Sequence, residues 1–103
     1  MKRIVKATFD AAHFIRGHPK CGETHGHTYH LTVKFPGNIE VFVDFKELEG
    51  YVKKAIEPFD HHNMGHMTCE MLAKRIGDAL YELYGEGIEL TLFETPKFGV
   101  KYP

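Results

Sequence analysis

The stretch HTYHLTVKF, residues 27 to 35, alternates between two kinds of side chain. Tyr29, Leu31, Val33 and Phe35 share one parity, and Thr28, His30, Thr32 and Lys34 share the other. A two-residue period of this kind is that of a strand with one buried face and one solvated face, so the chain must build a sheet and cover one side of it. Extending the strand back to His25 brings His25 and His27 onto the apolar face. An earlier segment, IVKATFDAAHF from 4 to 14, carries Val5, Ala7, Phe9, Ala11 and His13 on one parity. If these two strands form a hairpin, His13 completes a three-histidine set.

The cover is helical. Asp44 reads as an N-cap with Glu47 at the third helical position, before Phe45, Leu48, Val52, Ile56 and Phe59 at helical spacing, and Pro58 helps end that helix. A second helix is expected after Thr68 as N-cap, with Leu72, Ile76, Ala79, Leu80 and Leu83 on one stripe and a close at Gly85. Pro36, Gly37 and Asn38 form a turn, after which IEVFV at 39 to 43 reads as strand. FDHHNMGHM between the helices reads as a polar connection. IELTLFETP alternates as a strand, and FGVKYP is expected to pair back with it through the turn at Pro96 and Lys97.

This order, β-β-α-α-β-β, predicts one α+β domain over residues 1–103, an antiparallel four-stranded sheet with two helices on one face. Such a sheet has open edges. Pairing them with neighbouring subunits would remove that liability and add burial that a chain of 103 residues needs, so a homo-oligomer is expected.

With 13 basic and 14 acidic side chains the sequence lacks the electrostatic footprint of a nucleic-acid or anionic-membrane binder. No apolar run approaches the ~20 residues of a membrane span, and MKRIVKATFD has no apolar signal core. These features predict a cytoplasmic protein. Its two cysteines, Cys21 and Cys69, are not expected to form a disulfide in that compartment.

The compositional outlier is histidine: six of eight fall in HGHTYH and DHHNMGH, a pattern suited to metals and proton transfer. Zinc favours imidazole nitrogen and thiolate sulfur, so His13, His25 and His27 are candidate ligands. Cys21, in CGETHGH, has three available roles. It can be a small buried hydrophobe, a fourth ligand that closes a structural site, or a thiolate that moves protons beside an open metal site. Spacing leaves the last two equally open. Asp60 followed by His61 offers a carboxylate that orients an imidazole. Glu94 ends the apolar stripe of Ile88, Leu90 and Leu92, where a carboxylate needs a partner or a ligand with N–H donors. Met64, Met67 and Met71 need no special role.

Taken together, FDAAH at 9 to 13, CGETHGH at 21 to 27, VDF at 43 to 45, DHHNM at 60 to 64, TCE at 68 to 70 and ET at 94 to 95 resemble the 6-pyruvoyltetrahydropterin synthase/6-carboxytetrahydropterin synthase family. The resemblance spans nearly the whole chain. It implies the tunnelling fold, in which three subunits close a barrel and two trimers stack. It also implies zinc on His13, His25 and His27, a catalytic cysteine at Cys21, a proton relay of Asp60 and His61, and a pterin anchor at Glu94 with Thr68 beside the ring. These groups are expected to converge at a subunit interface. The implied substrate is 7,8-dihydroneopterin triphosphate. In the carboxy-forming branch the product is 6-carboxy-5,6,7,8-tetrahydropterin, formed with release of acetaldehyde and triphosphate on the way to the 7-deazaguanine bases of tRNA. A pyruvoyl-forming synthase and a dihydroneopterin-cleaving enzyme of folate synthesis are the family alternatives. A noncatalytic zinc module closed by Cys21 is the alternative of another class. Arg16, Lys20 and Lys97 are candidate contacts for the triphosphate.

Overall fold

A computed structural model describes residues 1–103. Strands β1 (Lys2–Phe14) and β2 (His25–Pro36) form a long antiparallel hairpin whose register runs from Lys2 opposite Pro36 to His13 opposite His25. Helix α1 (Phe45–Ile56) follows, then β3 (His62–His66), helix α2 (Cys69–Leu83), β4 (Glu89–Phe93) and β5 (Gly99–Tyr102). The sheet order is β3-β1-β2-β4-β5. Both helices pack on one face, α1 against β1 and α2 against β4 and β5.

The alternation in the sequence decides which face is covered. Val5, Phe9 and Ala11 of β1, and Tyr29, Leu31, Val33 and Phe35 of β2, are buried, as are Leu90 and Leu92 of β4. They meet Leu48, Val52, Ala55 and Ile56 of α1 and Leu72, Ala73, Ile76 and Leu80 of α2. Each fully buried Leu or Ile in that layer contributes about 2 kcal/mol of transfer free energy. The expected caps form. Asp44 accepts a hydrogen bond from the Lys46 N–H at 2.9 Å, and Thr68 Oγ1 accepts from the Met71 N–H at 3.1 Å. Phe45, placed on the apolar stripe by spacing, is instead 60% exposed, because it opens the helix ahead of the covered face.

Two expectations need correction. The sheet has five strands and is mixed, not four and antiparallel, because His62–His66 pairs parallel with β1 at Ala11, Ala12 and Phe14. The polar connection between the helices therefore contains an edge strand. The second correction concerns residues 39–43, which form no strand. Lys2, at the start of β1, already pairs with Pro36, so no strand lies opposite the segment beyond it. Ile39 and Phe42 are 84% and 89% exposed. No helix is long and apolar enough to cross a membrane.

Candidate metal centre and its surroundings

The hairpin register builds the centre. His13 lies opposite His25, and Ala11 opposite His27, so three imidazoles gather where the covered face runs out past the helices. Their ring centroids form a nearly equilateral triangle, with separations of 4.6 Å (His13 to His25), 5.0 Å (His13 to His27) and 4.9 Å (His25 to His27). One ring nitrogen from each lies within 4.8 Å of the others. His13 is fully buried; His25 and His27 are half-buried.

Backbone carbonyls orient two of the rings. His13 Nδ1 lies 2.6 Å from the Met67 carbonyl oxygen, and His25 Nδ1 lies 2.8 Å from that of Glu23. A carbonyl only accepts, so both Nδ1 atoms carry the ring proton and both Nε2 atoms present lone pairs in the neutral imidazole. This tautomer is the one that metal-ligating histidines adopt when a carbonyl holds the other nitrogen. Met67, whose side chain belongs to the core, thus serves the centre through its backbone, just ahead of the Thr68 cap.

Glu94 faces the triad. Its Oε1 lies 3.3 Å from His13 Nε2 and 3.9 Å from His27 Nε2. Close as they are, His13 Nε2 and Glu94 Oε1 have no hydrogen bond, because both are acceptors. Two buried lone pairs turned toward each other require a cation between them or a proton on the imidazole. The donor set therefore fits a divalent metal. Burial holds the His27 pKa below its ordinary value; the Glu94 charge pulls it up, and His13 and His25 push it further down. A neutral imidazole is the form a metal needs.

The floor of the centre is Tyr29. Its ring stacks on Phe9 at 5.1 Å and meets His27 edge-on at 5.8 Å. The hydroxyl is buried without a partner. Behind Glu94 a cavity of about 220 Å³ is lined by Cys69, Glu70, Phe98, Gly99 and Val100. The Cys69 thiol contacts the Leu92 carbonyl at 3.7 Å, and burial with the charges of Glu94 and Glu70 pushes its pKa up to about 11. Tyr29, Cys69 and the Met67 carbonyl were not singled out from the sequence. The parity of Tyr29 with His27 was visible there, but its hydroxyl's lack of a partner was not.

Cys21 lies in the loop between β1 and β2, and its thiol is not among the mutually close ligand atoms. The loop is held by its backbone: the Cys21 N–H donates to His18 Nδ1 at 2.9 Å, and the Cys21 carbonyl accepts from Ile15 N–H at 2.6 Å. Gly22 is needed there, since a Cβ would stand 2.6 Å from the His18 carbonyl oxygen. Asp60 and His61 form a pair, with Asp60 Oδ1 accepting from His61 Nδ1 at 2.9 Å and from the Asp10 N–H at 3.1 Å. His61 has φ of 60°, a left-handed conformation uncommon outside glycine that often marks functional positions. Its N–H donates to the Asp10 carbonyl at 2.6 Å. No hydrogen bond links His61 to the triad or to Cys21, although His27 and His61 line one groove of about 490 Å³ with Asp10, Gly26 and Thr28. Thr68 spends its hydroxyl on the α2 cap.

Fold and site together define an α+β protein with a preformed triad for a metal. The family model of 6-pyruvoyl tetrahydropterin synthase matches residues 3–103. The chain belongs to this family, a family of pterin-metabolising lyases, and is an enzyme of that kind. Among curated relatives, it is 33% identical over 85 residues to a putative 6-carboxy-5,6,7,8-tetrahydropterin synthase of Archaeoglobus fulgidus, covering 76% of this chain and 74% of the relative. It is 41% identical over 72 residues to the 6-carboxy-5,6,7,8-tetrahydropterin synthase of Haemophilus influenzae, covering 61% of this chain and 51% of that one. It is also 32% identical over 107 residues to a dihydroneopterin monophosphate aldolase of Pyrococcus furiosus, covering 95% and 93%. The structure of Caenorhabditis elegans 6-pyruvoyl tetrahydropterin synthase superposes with a TM-score of 0.86 at 21% identity, over 99% of this chain and 94% of that one, and so shares the fold.

Proposed function

We propose that this chain is a zinc-dependent lyase converting 7,8-dihydroneopterin triphosphate and one water to 6-carboxy-5,6,7,8-tetrahydropterin, acetaldehyde and triphosphate, as a step toward 7-deazaguanine bases of tRNA. Two relatives that carry the carboxytetrahydropterin synthase name support the product. The observation that carries the reading is the triad of lone pairs from His13, His25 and His27, gathered without the Cys21 thiol. That arrangement favours an open centre over one closed by Cys21.

Zinc bound at the triad supplies a Lewis acid that makes the carbon-bound protons beside the substrate's side-chain oxygens removable. The Met67 and Glu23 carbonyls keep the ligand nitrogens facing inward throughout. Glu94 accepts hydrogen bonds from the N–H edge of the pterin ring, which enters the cavity beside Phe98 and Val100, with Thr68 at the ring's flank. Cys21, on a loop fixed by Ile15 and His18, takes and returns protons as the general base and acid. His61 passes those protons onward, and Asp60 positions its ring and stabilises its charge.

No hydrogen bond joins His61 to Cys21 within one chain, and in this reading the relay reaches Cys21 from a neighbouring copy. The sheet permits this assembly: the β1 edge from Lys2 to Asp10 has no partner on the β3 side, and β5 forms the other open edge. A trimer or a dimer of trimers joined at those edges completes the site. Arg16, Lys20 and Lys97 are the cations nearest in sequence for the triphosphate.

A second reading, cleavage of a dihydroneopterin phosphate to an aldehyde and a hydroxymethyl pterin, is favoured by the near full-length match to the Pyrococcus furiosus aldolase. Product mass separates the two. Zinc-loaded protein given dihydroneopterin triphosphate should yield carboxytetrahydropterin and acetaldehyde. A hydroxymethyl pterin, formed from the monophosphate in preference to the triphosphate, would establish the aldolase instead.

A further inference from the structure

We propose that His18 is a positioning residue for Cys21: the Nδ1 atom of its ring fixes the turn that carries the thiol, before any metal or substrate is bound. Nδ1 accepts from two successive backbone N–H groups, that of Lys20 at 3.2 Å and that of Cys21 at 2.9 Å. An N–H only donates, so Nδ1 carries no proton, and the proton of the neutral ring sits on Nε2. A side-chain acceptor that bonds the N–H groups two and three residues further on makes the geometry of an Asx turn, built here with an imidazole. Pro19 suits it. Proline has no N–H of its own, so Lys20 and Cys21 supply the first donors after His18, and it biases the residue before it toward extended backbone.

His18 is itself anchored. Its N–H donates to the Ile15 carbonyl at 3.2 Å, across a turn in which Gly17 takes a φ of 80°. The Ile15 N–H in turn donates to the Cys21 carbonyl at 2.6 Å, so Cys21 is held through both of its backbone groups, one by the residue after β1 and one by the His18 ring. The entry to the loop is tied down separately, because the Arg16 N–H donates to Nδ1 of His66, the last residue of β3, at 3.0 Å. The His18 ring is exposed, so its substitution removes two hydrogen bonds and no core packing. Loss of the ring therefore frees the turn around Cys21 and leaves in place the triad, whose rings hang on the Met67 and Glu23 carbonyls. A proton-transfer group displaced by about 1 Å loses on the order of 10²-fold in rate.

This inference rests on the reading of Cys21 as the group that moves protons, and the test separates the two. In His18→Asn the amide oxygen takes the place of Nδ1, in His18→Gln it takes that of Nε2, and His18→Ala has neither. Hydrogen exchange at the Lys20 and Cys21 amides is read in metal-free protein without substrate. It should be slow in the wild type and in His18→Asn, and faster by about tenfold or more in His18→Gln and His18→Ala. With zinc-loaded protein, kcat should fall by about tenfold or more in His18→Gln and His18→Ala at unchanged KM and zinc content, and stay within about threefold of the wild type in His18→Asn. Unchanged exchange in His18→Ala would overturn the assignment. So would activity kept by His18→Gln and lost by His18→Asn, which places the role on Nε2, or a rise in KM alone, which places it on substrate binding through Lys20. Full turnover in Cys21→Ala would instead refute the reading of Cys21, while the exchange rates still decide whether His18 fixes the turn.

Discussion

Replacing Tyr29 with Phe removes one oxygen from the floor of the metal centre and is expected to stabilise the metal-free, substrate-free protein. The hydroxyl is fully buried and has no hydrogen-bond partner. Burial first, and then the negative charge that Glu94 and Cys69 would set beside it, push its ionisation far above the ordinary tyrosine value. It is therefore a neutral donor with nothing to donate to. A buried polar group left unsatisfied costs about 1–3 kcal/mol. Phenylalanine keeps the ring and its stack on Phe9, so the loss is confined to one atom's packing. The balance is a gain of about 1 kcal/mol, or about 4 °C in Tm for a chain of this size. Urea unfolding at fixed protein concentration measures it, with the m-value unchanged. A loss of about 1 kcal/mol in Tyr29→Phe would mean that the hydroxyl has a partner and is not an orphaned donor.

Other consequences follow from the same geometry. Cys21→Ala should retain zinc near the wild-type level while turnover falls by about 10²-fold or more; zinc loss in this variant would make Cys21 a ligand. In the folded protein at pH 8, Cys69 should resist iodoacetamide because its thiol is pushed up to about 11, whereas Cys21 on the surface loop should react, with peptide mass mapping to tell them apart. The lowered pKa of His27 fixes a sign. The unfolded chain binds this proton more readily, so the contribution of His27 to stability is complete above about pH 6.5 and is lost as pH falls through the lower folded value. The urea midpoint of metal-free protein should accordingly drop between pH 7 and 5 by less in His27→Gln than in the wild type. An equal drop would contradict that assignment.

How much of this was legible in the sequence varies by element. The β1–β2 hairpin was, because alternation over Val5 to His13 and Tyr29 to Phe35 fixes which face is buried, and register then sets His13 against His25. The helix starts were, because Asp44 and Thr68 are capping residues with chemistry of their own. Strand β3 was not: HNMGH is short, polar and centred on a glycine, and its strand character comes from pairing with β1, a tertiary effect. Residues 39–43 erred the other way, with strand-like composition but no partner opposite. Within the site, the imidazoles and the adjacent Asp60–His61 pair could be read directly. The carbonyls of Met67 and Glu23 could not, since any residue supplies a carbonyl and only the fold selects which one. The spacing between His13 and Glu94, 81 residues further along (94 − 13), likewise depends on β4 lying beside β2 and is invisible to any local pattern.

If the triad of His13, His25 and His27 and its surrounding groups carry out pterin lyase chemistry, the products identify it. Zinc-loaded protein is incubated with 7,8-dihydroneopterin triphosphate, and the products are identified by mass spectrometry. The expected products are 6-carboxy-5,6,7,8-tetrahydropterin, acetaldehyde and triphosphate. Recovery of the substrate unchanged, with neither acetaldehyde nor triphosphate released, would contradict that chemistry.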